Sequence, residues 1–266
     1  MSPPTQERGD ARLQWRSDDE FEIDGVAYAC RPIDGVFPST ADRFCLRKPP
    51  ELVRRIERML ADLQPRTIVE VGVFQGGSTG LLAQAGRPEK LVCIDNEHRK
   101  AALEGMLEAQ RLTDVVKPHW GVDQADVPRV REILAAEIGS SPIDLVIDDA
   151  SHLLEPTRAT FDTVFPLLRP GALYVIEDWS WAHGAFNAWP DVTPLTPLVF
   201  ELTIAAAHQP EVVARVDIDQ EWAVVTRGPA ELGRDFKLID QVGEFGLRLL
   251  PETAAAEPTS GSADVG

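Results

Sequence analysis

Hydrophobic positions along the chain change their period in a regular order from residue 51 onward. Leu52, Ile56, Met59, Leu60 and Leu63 recur at helical spacing and predict an amphipathic helix over Glu51 to Leu63. The apolar run Thr67 to Val73 predicts a buried strand, followed by a glycine turn and a helix from Ser78. The alternation continues with strand Lys90 to Ile94, helix His98 to Gln110, strand Val115 to Trp120 and helix Val127 to Ile138. Strand Ile143 to Ile147 and helix Leu154 to Leu168 come next, and Pro170-Gly171 turns the chain into strand Ala172 to Ile176. Strands alternating with helices predict a mostly parallel sheet covered on both faces, an α/β fold. The pattern then shifts. Thr196 to His208 reads as a helix, while Val212 to Asp217 and Trp222 to Arg227 read as strands joined by Ile218-Asp219-Gln220. That link is too short for a crossover helix, so the two strands must pair as an antiparallel hairpin.

Residues 20–250 are thus expected to form one domain, with 20–66 an N-terminal lid and helix and 67–250 the core. The segments 1–19 and 251–266 are rich in Pro, Ser, Glu, Gly and Ala and are expected to be disordered tails. Between Phe21 and Pro50 short extended pieces show no strong period, and Arg43, Arg47 and Lys48 fall there beside Pro49 and Pro50. This stretch is read as a lid or substrate-side wall, with simple packing against the sheet edge as the alternative. A mostly parallel sheet ending in an antiparallel hairpin resembles the class I S-adenosylmethionine-dependent methyltransferases, with their Rossmann-like sheet of seven strands.

Charge narrows the partners. A formal net charge of −17 over 266 residues argues against duplex nucleic acid or an anionic membrane surface as a partner. Cys30, Cys45 and Cys93 have no CxxC spacing and are odd in number, so neither a zinc site nor a disulfide framework is supported. The amino terminus lacks the apolar core of a signal peptide, and no apolar stretch reaches the length of a membrane span. A cytoplasmic protein is the expectation.

The turn Glu70-Val71-Gly72-Val73-Phe74-Gln75-Gly76-Gly77-Ser78 carries the first candidate chemistry. Glycines here allow a sharp turn and close approach of a ligand, and the start of the next helix offers free amides. A dinucleotide fingerprint would need glycines at 72, 74 and 77, but position 74 is Phe74. A bulky side chain there suits a ligand without phosphates, such as S-adenosylmethionine. No Lys-Ser or Lys-Thr follows, so a Walker motif is absent. Asp95, ending the next strand, is placed to hold a ribose diol. Glu70 is a candidate for the cofactor's ammonium group. Asp123 and Gln124, after the third strand, are candidates for the adenine amine, while Asp126 reads as the cap of the following helix. A tight structural turn with Asp95 capping its helix is the plain alternative.

The second candidate lies at two neighbouring strand ends, Ile147-Asp148-Asp149-Ala150-Ser151-His152 and Val175-Ile176-Glu177-Asp178-Trp179. Open α/β sheets bind ligands just beyond the carboxyl ends of their strands. Asp149, Glu177 and Asp178 brought together there would repel one another unless protonated or neutralised by a cation. Oxygen ligands favour magnesium or manganese over zinc. His152, three residues after Asp149, could accept the proton of a substrate hydroxyl. Asp148 reads as a supporting or cofactor-side carboxylate. Trp179, Trp181 and His183, with Phe186 and Trp189, follow in a turn-rich segment; aromatic faces there suit sugar rings, a structural plug or a subunit contact.

The glycine turn, Asp148-Asp149-Ala150-Ser151-His152 and Tyr174-Val175-Ile176-Glu177-Asp178-Trp179 together resemble the metal-dependent sugar O-methyltransferases of macrolide biosynthesis, the mycinamicin and tylosin type. They are also similar to the related family labelled cephalosporin hydroxylase. The resemblance covers about Thr67 to Trp179. It implies that Asp149, Glu177 and Asp178 hold Mg2+ (or Mn2+), that His152 is the general base, and that the acceptor is a carbohydrate. The flanks look closer to members that methylate mannosides. Family members are commonly homo-oligomers. Two other readings stay open: a catechol-type O-methyltransferase, and a non-catalytic protein that binds S-adenosylmethionine.

Overall fold

The computed structural model describes residues 13–31, 35–183 and 192–247. Segments 1–12 and 251–266 of the expected tails, and Phe186 and Trp189, lie outside the described residues. The principal sheet contains β5 (Thr67–Val71), β6 (Lys90–Asp95), β7 (Val116–Trp120), β8 (Ile143–Asp148), β9 (Leu168–Glu177), β10 (Val213–Ile218) and β11 (Trp222–Arg227). Its strand order is β10-β11-β9-β8-β5-β6-β7. Pairings β5–β6, β5–β8, β6–β7 and β8–β9 are parallel. Strand β11 inserts antiparallel between β9 and β10, which is where the expected hairpin lies.

Every residue of β5 and β8 is buried, the apolar majority together with Glu70, Asp144 and Asp148, as expected of central strands covered on both faces. Helices α4 (Val127–Glu137), α5 (Leu154–Val164) and α6 (Thr196–His208) cover one face. There Val69, Val92, Val146 and Tyr174 join Ile133, Phe161 and Leu202 in one core. The opposite face packs on α1 (Pro50–Leu63), α2 (Gly77–Gly86) and α3 (Ala101–Ala109), with Ile68, Cys93 and Ile147 meeting Ile56, Leu81 and Met106. Pro50 opens α1 at a position whose amide has no helical partner in any case. Asp126 caps α4 by accepting a bond from the Arg129 amide at 3.1 Å, as its position predicted.

Three expectations need correction. Strand β1 (Leu13–Trp15) begins inside the segment read as a disordered tail. With β2 (Glu20–Ile23), β3 (Val26–Cys30) and β4 (Arg43–Leu46) it forms a second, four-stranded sheet, so the stretch before α1 is more than a loose lid. Strands of three to five residues are too short for alternation to register, although Asp24-Gly25, both at positive φ, is a hairpin turn. Phe21, Tyr28 and Phe44 belong to the same core as α1 and α2, so this sheet buries apolar surface rather than hovering over it. Second, α5 stops at Val164 because Pro166 cannot donate the next helical bond. Third, β9 already starts at Leu168 and passes through Pro170-Gly171 as a register shift instead of a turn. Gly171, at φ +79°, absorbs the irregularity.

The shared core predicts one cooperative unfolding unit. Phe44→Ala, at a fully buried position stacked on Tyr28, should cost about 3–5 kcal/mol. Urea unfolding followed by fluorescence and by circular dichroism should give coincident transitions; two separate transitions would show the small sheet folding on its own.

Candidate active site

The strand order reverses between β5 and β8, and a cavity of about 510 Å³ opens above their carboxyl ends. The volume is in the range of small-molecule and cofactor sites. Gly72, at φ +93°, is where backbone geometry allows the site to form. A Cβ there would collide with the Asp149 carbonyl, because the Asp149 amide donates to the Val71 carbonyl at 2.8 Å. The turn continues through Phe74, a non-glycine residue at φ +52° whose ring is 43% exposed beneath the Arg47 guanidinium. Asp95 pins this turn. Its Oδ2 accepts from the amides of Val73 and Phe74 at 2.6 and 2.9 Å, and its Oδ1 accepts from Glu97 at 2.7 Å. Each carboxylate oxygen has further acceptor capacity, and Asp95 lines the cavity, so a diol remains within its means.

Gly72, Phe74, Gly77, Ser78, Asp123 and Gln124 line the same cavity. Gly76 does not; a Cβ on it would crowd Leu103, so it serves helix packing. Glu70 also falls outside the cavity wall. It lies fully buried under the turn, where Thr79 Oγ1 donates to its Oε2 at 2.5 Å and Oε1 has no hydrogen-bond partner among the described residues. Burial pushes its carboxyl up to about 7. Asp148 is likewise beneath the floor, receiving the Tyr174 hydroxyl at 2.8 Å, and burial raises it to about 7. Gln124 links this layer to the rim: its Nε2 reaches Thr160 Oγ1 at 3.0 Å and its Oε1 accepts the Ser151 amide at 2.9 Å. Asp123 Oδ1 is engaged by the Ala125 amide at 2.8 Å.

At the far rim, Asp149, His152, Glu177 and Asp178 all line the cavity. His152 Nε2 stands 3.7 Å from Asp149 Oδ1 and 3.9 Å from Asp178 Oδ2. One ligand atom from each of Asp149, His152 and Asp178 lies within 4.8 Å of the others, close enough to share a cation. His152 and Asp178 both sit at positive φ, +55° and +53°, a strained backbone state of the kind that clusters at functional sites. Glu177 differs from the expected arrangement. Only 2% exposed, it accepts from Lys48 Nζ on Oε2 at 2.5 Å, and its Oε1 is buried with no partner among the described residues. Burial pushes its carboxyl up against the opposing pull of Lys48. The convergent Asp-His-Asp set fits a hard divalent cation, while Glu177, expected as a ligand, is not among the atoms that converge there.

Trp179, Trp181 and His183 do not line the cavity. Trp181 Nε1 donates to the His152 carbonyl at 2.9 Å and Trp179 Nε1 to the Asp219 carbonyl at 2.6 Å. His183 Nε2 meets Thr196 Oγ1 at 2.5 Å. They brace the loops that carry His152 and Asp178. Two further cavity residues were given no individual role by the sequence reading. Glu221, from the hairpin, accepts the Asp178 amide on its carbonyl. Lys48 bonds Asp149 Oδ2 at 2.8 Å as well as Glu177. Burial pulls its ammonium's pKa down, but the two carboxylates outweigh this and hold it above the ordinary lysine value. Its only signal in the chain was a basic residue directly before Pro49-Pro50.

Sheet order, the β11 insertion and the cavity at the switch point define the class I S-adenosylmethionine-dependent methyltransferase fold. Residues 69–179 match a family described as a methyltransferase domain. Among curated relatives, demethylmacrocin O-methyltransferase of Streptomyces fradiae is 43% identical over 107 residues, 38% of this chain and 25% of that protein. The 8-demethyl-8-alpha-L-rhamnosyl tetracenomycin-C 2'-O-methyltransferase of Streptomyces olivaceus is 46% identical over 70 residues, 24% of this chain and 18% of that protein. The chain therefore spans a quarter or less of the length of these two relatives. Among solved structures, the mycinamycin-pathway methyltransferase MycE, in complex with Mg, SAH and mycinamycin VI, superposes with TM-score 0.50 and 25% identity, covering 66% of this chain and 49% of that one. The O-methyltransferase TomG of Streptomyces achromogenes, in complex with SAM, gives TM-score 0.53 at 18% identity, covering 69% and 82%. A sequence relative, the demethylmacrocin O-methyltransferase, and a structure neighbour, the mycinamycin-pathway methyltransferase, are thus of the type that the motifs resemble.

Glu70 makes stability depend on pH in a definite direction. Its folded-state value, about 7 against 4.5 for the free group, means that the folded chain binds this proton more tightly. The associated stability is fully present below about pH 4.5 and is lost as pH rises through 7. Glu70→Gln should therefore gain about 3 kcal/mol relative to the parent between pH 4.5 and 8. Urea unfolding at both pH values checks this; a difference that does not change with pH would contradict it.

Proposed function

We propose that this chain transfers a methyl group from S-adenosylmethionine to a hydroxyl of a carbohydrate, with a divalent cation, Mg2+ or Mn2+, at the strand ends. The observation that carries this reading is the convergence of Asp149, His152 and Asp178 at the rim of a cofactor-sized cavity. The relatives' names, which specify O-methylation and in one case a rhamnosyl substrate, support the sugar acceptor. Gly72, Phe74, Gly77 and Ser78 would form the donor wall, with Asp95 receiving the ribose and Asp123 or Gln124 the adenine. Asp149 and Asp178, joined by the spare oxygen of Glu177, would hold the cation. When bound, that ion supplies Lewis acidity that makes an alcohol proton easier to remove.

His152 takes that proton at Nε2 as the acceptor oxygen forms its bond to the methyl carbon. The carbon–sulfur bond breaks, and S-adenosylhomocysteine leaves as a neutral thioether. The Trp181 bond to the His152 carbonyl fixes the loop and so the angle of the imidazole. Arg47 and Phe74 lie over the turn at the cavity mouth, where they can limit water beside the donor. The acceptor would approach between the His152 loop and Glu221, and a mannoside is the first sugar class to test.

His152→Ala is expected to lower turnover at least 100-fold while donor affinity by calorimetry and Mn2+ binding by electron paramagnetic resonance stay unchanged. Loss of Mn2+ binding in this variant would make His152 a further ligand instead of the base. Asp149→Asn should weaken Mn2+ binding and acceptor methylation together. Mass spectrometry on mannosides, other glycosides and a catechol, with and without EDTA, separates the acceptor classes; full turnover in EDTA would overturn the metal-assisted reading.

A further inference from the structure

Lys48 is the residue of the rim that no part of the proposed reaction uses. It follows β4 and precedes Pro49-Pro50 at the start of α1, so its own backbone is confined to extended conformations. Its side chain is 7% exposed and crosses from the small sheet to the carboxyl ends of β8 and β9. There the ammonium takes one oxygen from each of two carboxylates, Asp149 Oδ2 at 2.8 Å and Glu177 Oε2 at 2.5 Å. The remaining oxygens are the ones available to a cation. Asp149 Oδ1 faces His152 and Asp178, and Glu177 Oε1 is buried with no partner among the described residues.

An ion held by Asp149 Oδ1 and Asp178 would share the Asp149 carboxylate with the ammonium. The two like charges would repel, and burial of Lys48 and Glu177 leaves the ammonium side of that carboxylate little water to screen them. The ammonium also blocks bidentate use of Asp149 and ties Glu177 back. Without it, two carboxylates, one of them almost fully buried, would face each other uncompensated, and an ion would be needed to hold the strand ends together.

We propose that Lys48 is a built-in competitor of the divalent cation: it neutralises Asp149 and Glu177 so that the fold stands without the ion, and it lowers the site's affinity for the ion. This rests on the metal-assisted reading of the same site. It predicts that removing the charge tightens metal binding, the opposite of what loss of an ordinary site residue does.

The test uses the full chain without donor or acceptor. Mn2+ affinity is measured by electron paramagnetic resonance, and thermal unfolding is recorded in EDTA and in Mn2+, for the parent, Lys48→Met and Lys48→Arg. Lys48→Met should bind Mn2+ about ten-fold tighter or more. Its melting temperature should fall below the parent's in EDTA and recover in Mn2+, while Lys48→Arg should keep the parent's weaker affinity. A Lys48→Met chain that folds only when Mn2+ is supplied supports the proposal equally; one that fails to fold in both media overturns it. Parent binding with equal or looser binding by Lys48→Met removes the role of Lys48 alone. Absence of Mn2+ binding in the parent and both variants removes the metal-assisted reading together with it.

Discussion

Two carboxylates at the ends of adjacent parallel strands, bridged by one buried ammonium, are the constraint around which this structure is arranged. Asp149 and Glu177 come from strands that cannot separate, because β8 and β9 share a ladder in the middle of the sheet. Charges this close and this buried need a partner of opposite sign. Lys48 supplies it from outside the strand–helix alternation, which ties the four-stranded sheet to the chemistry as well as to the core. The small sheet thus has two anchors of different kinds. Its aromatic cluster against α1 and α2 supplies burial; its lysine supplies charge.

Around that pair the backbone takes conformations that ordinary elements avoid. Phe74, His152 and Asp178 all lie in the left-handed region, and Gly72 passes where a side chain would strike the next strand's carbonyl. Such positions cost stability singly and persist because packing overdetermines them. Here the support is visible. Asp95 holds the turn bearing Phe74, Trp181 holds the His152 carbonyl, and the Glu221 carbonyl receives the Asp178 amide. Below them the buried Asp148–Tyr174 and Gln124–Thr160 bonds hold the floor in place. The geometry of His152 beside two carboxylates is thus kept by hydrogen bonds from Asp95, Gln124 and Glu221 on the cavity wall and from Trp181 and Tyr174 behind it.

Much of this was written in local patterns. The strand–helix alternation, the hairpin of β10 and β11, the glycine turn and the two acidic strand ends were each visible, because each depends on residues within a few positions of one another. Polar residues at the end of an apolar run announce where a strand leaves the sheet, so Asp149, His152, Glu177 and Asp178 could be named before any coordinates. The small sheet was missed because its strands are too short to show a period. The tryptophans after Glu177 were read as sugar contacts, a structural plug or a subunit contact; the indole N–H groups of Trp179 and Trp181 are spent on loop carbonyls.

Residue order alone was sufficient for the fold class and for four of the side chains at the rim, Asp149, His152, Glu177 and Asp178, since periodicity and short motifs are local properties. It could not say which oxygen of each carboxylate is free, that Glu70 and Asp148 lie under the floor, or that the neutralising cation nearest Asp149 and Glu177 is Lys48. Those facts join groups 101 and 129 residues apart. They follow from how two layers pack and from the electrostatic cost of buried charge, and nothing local in the chain encodes either.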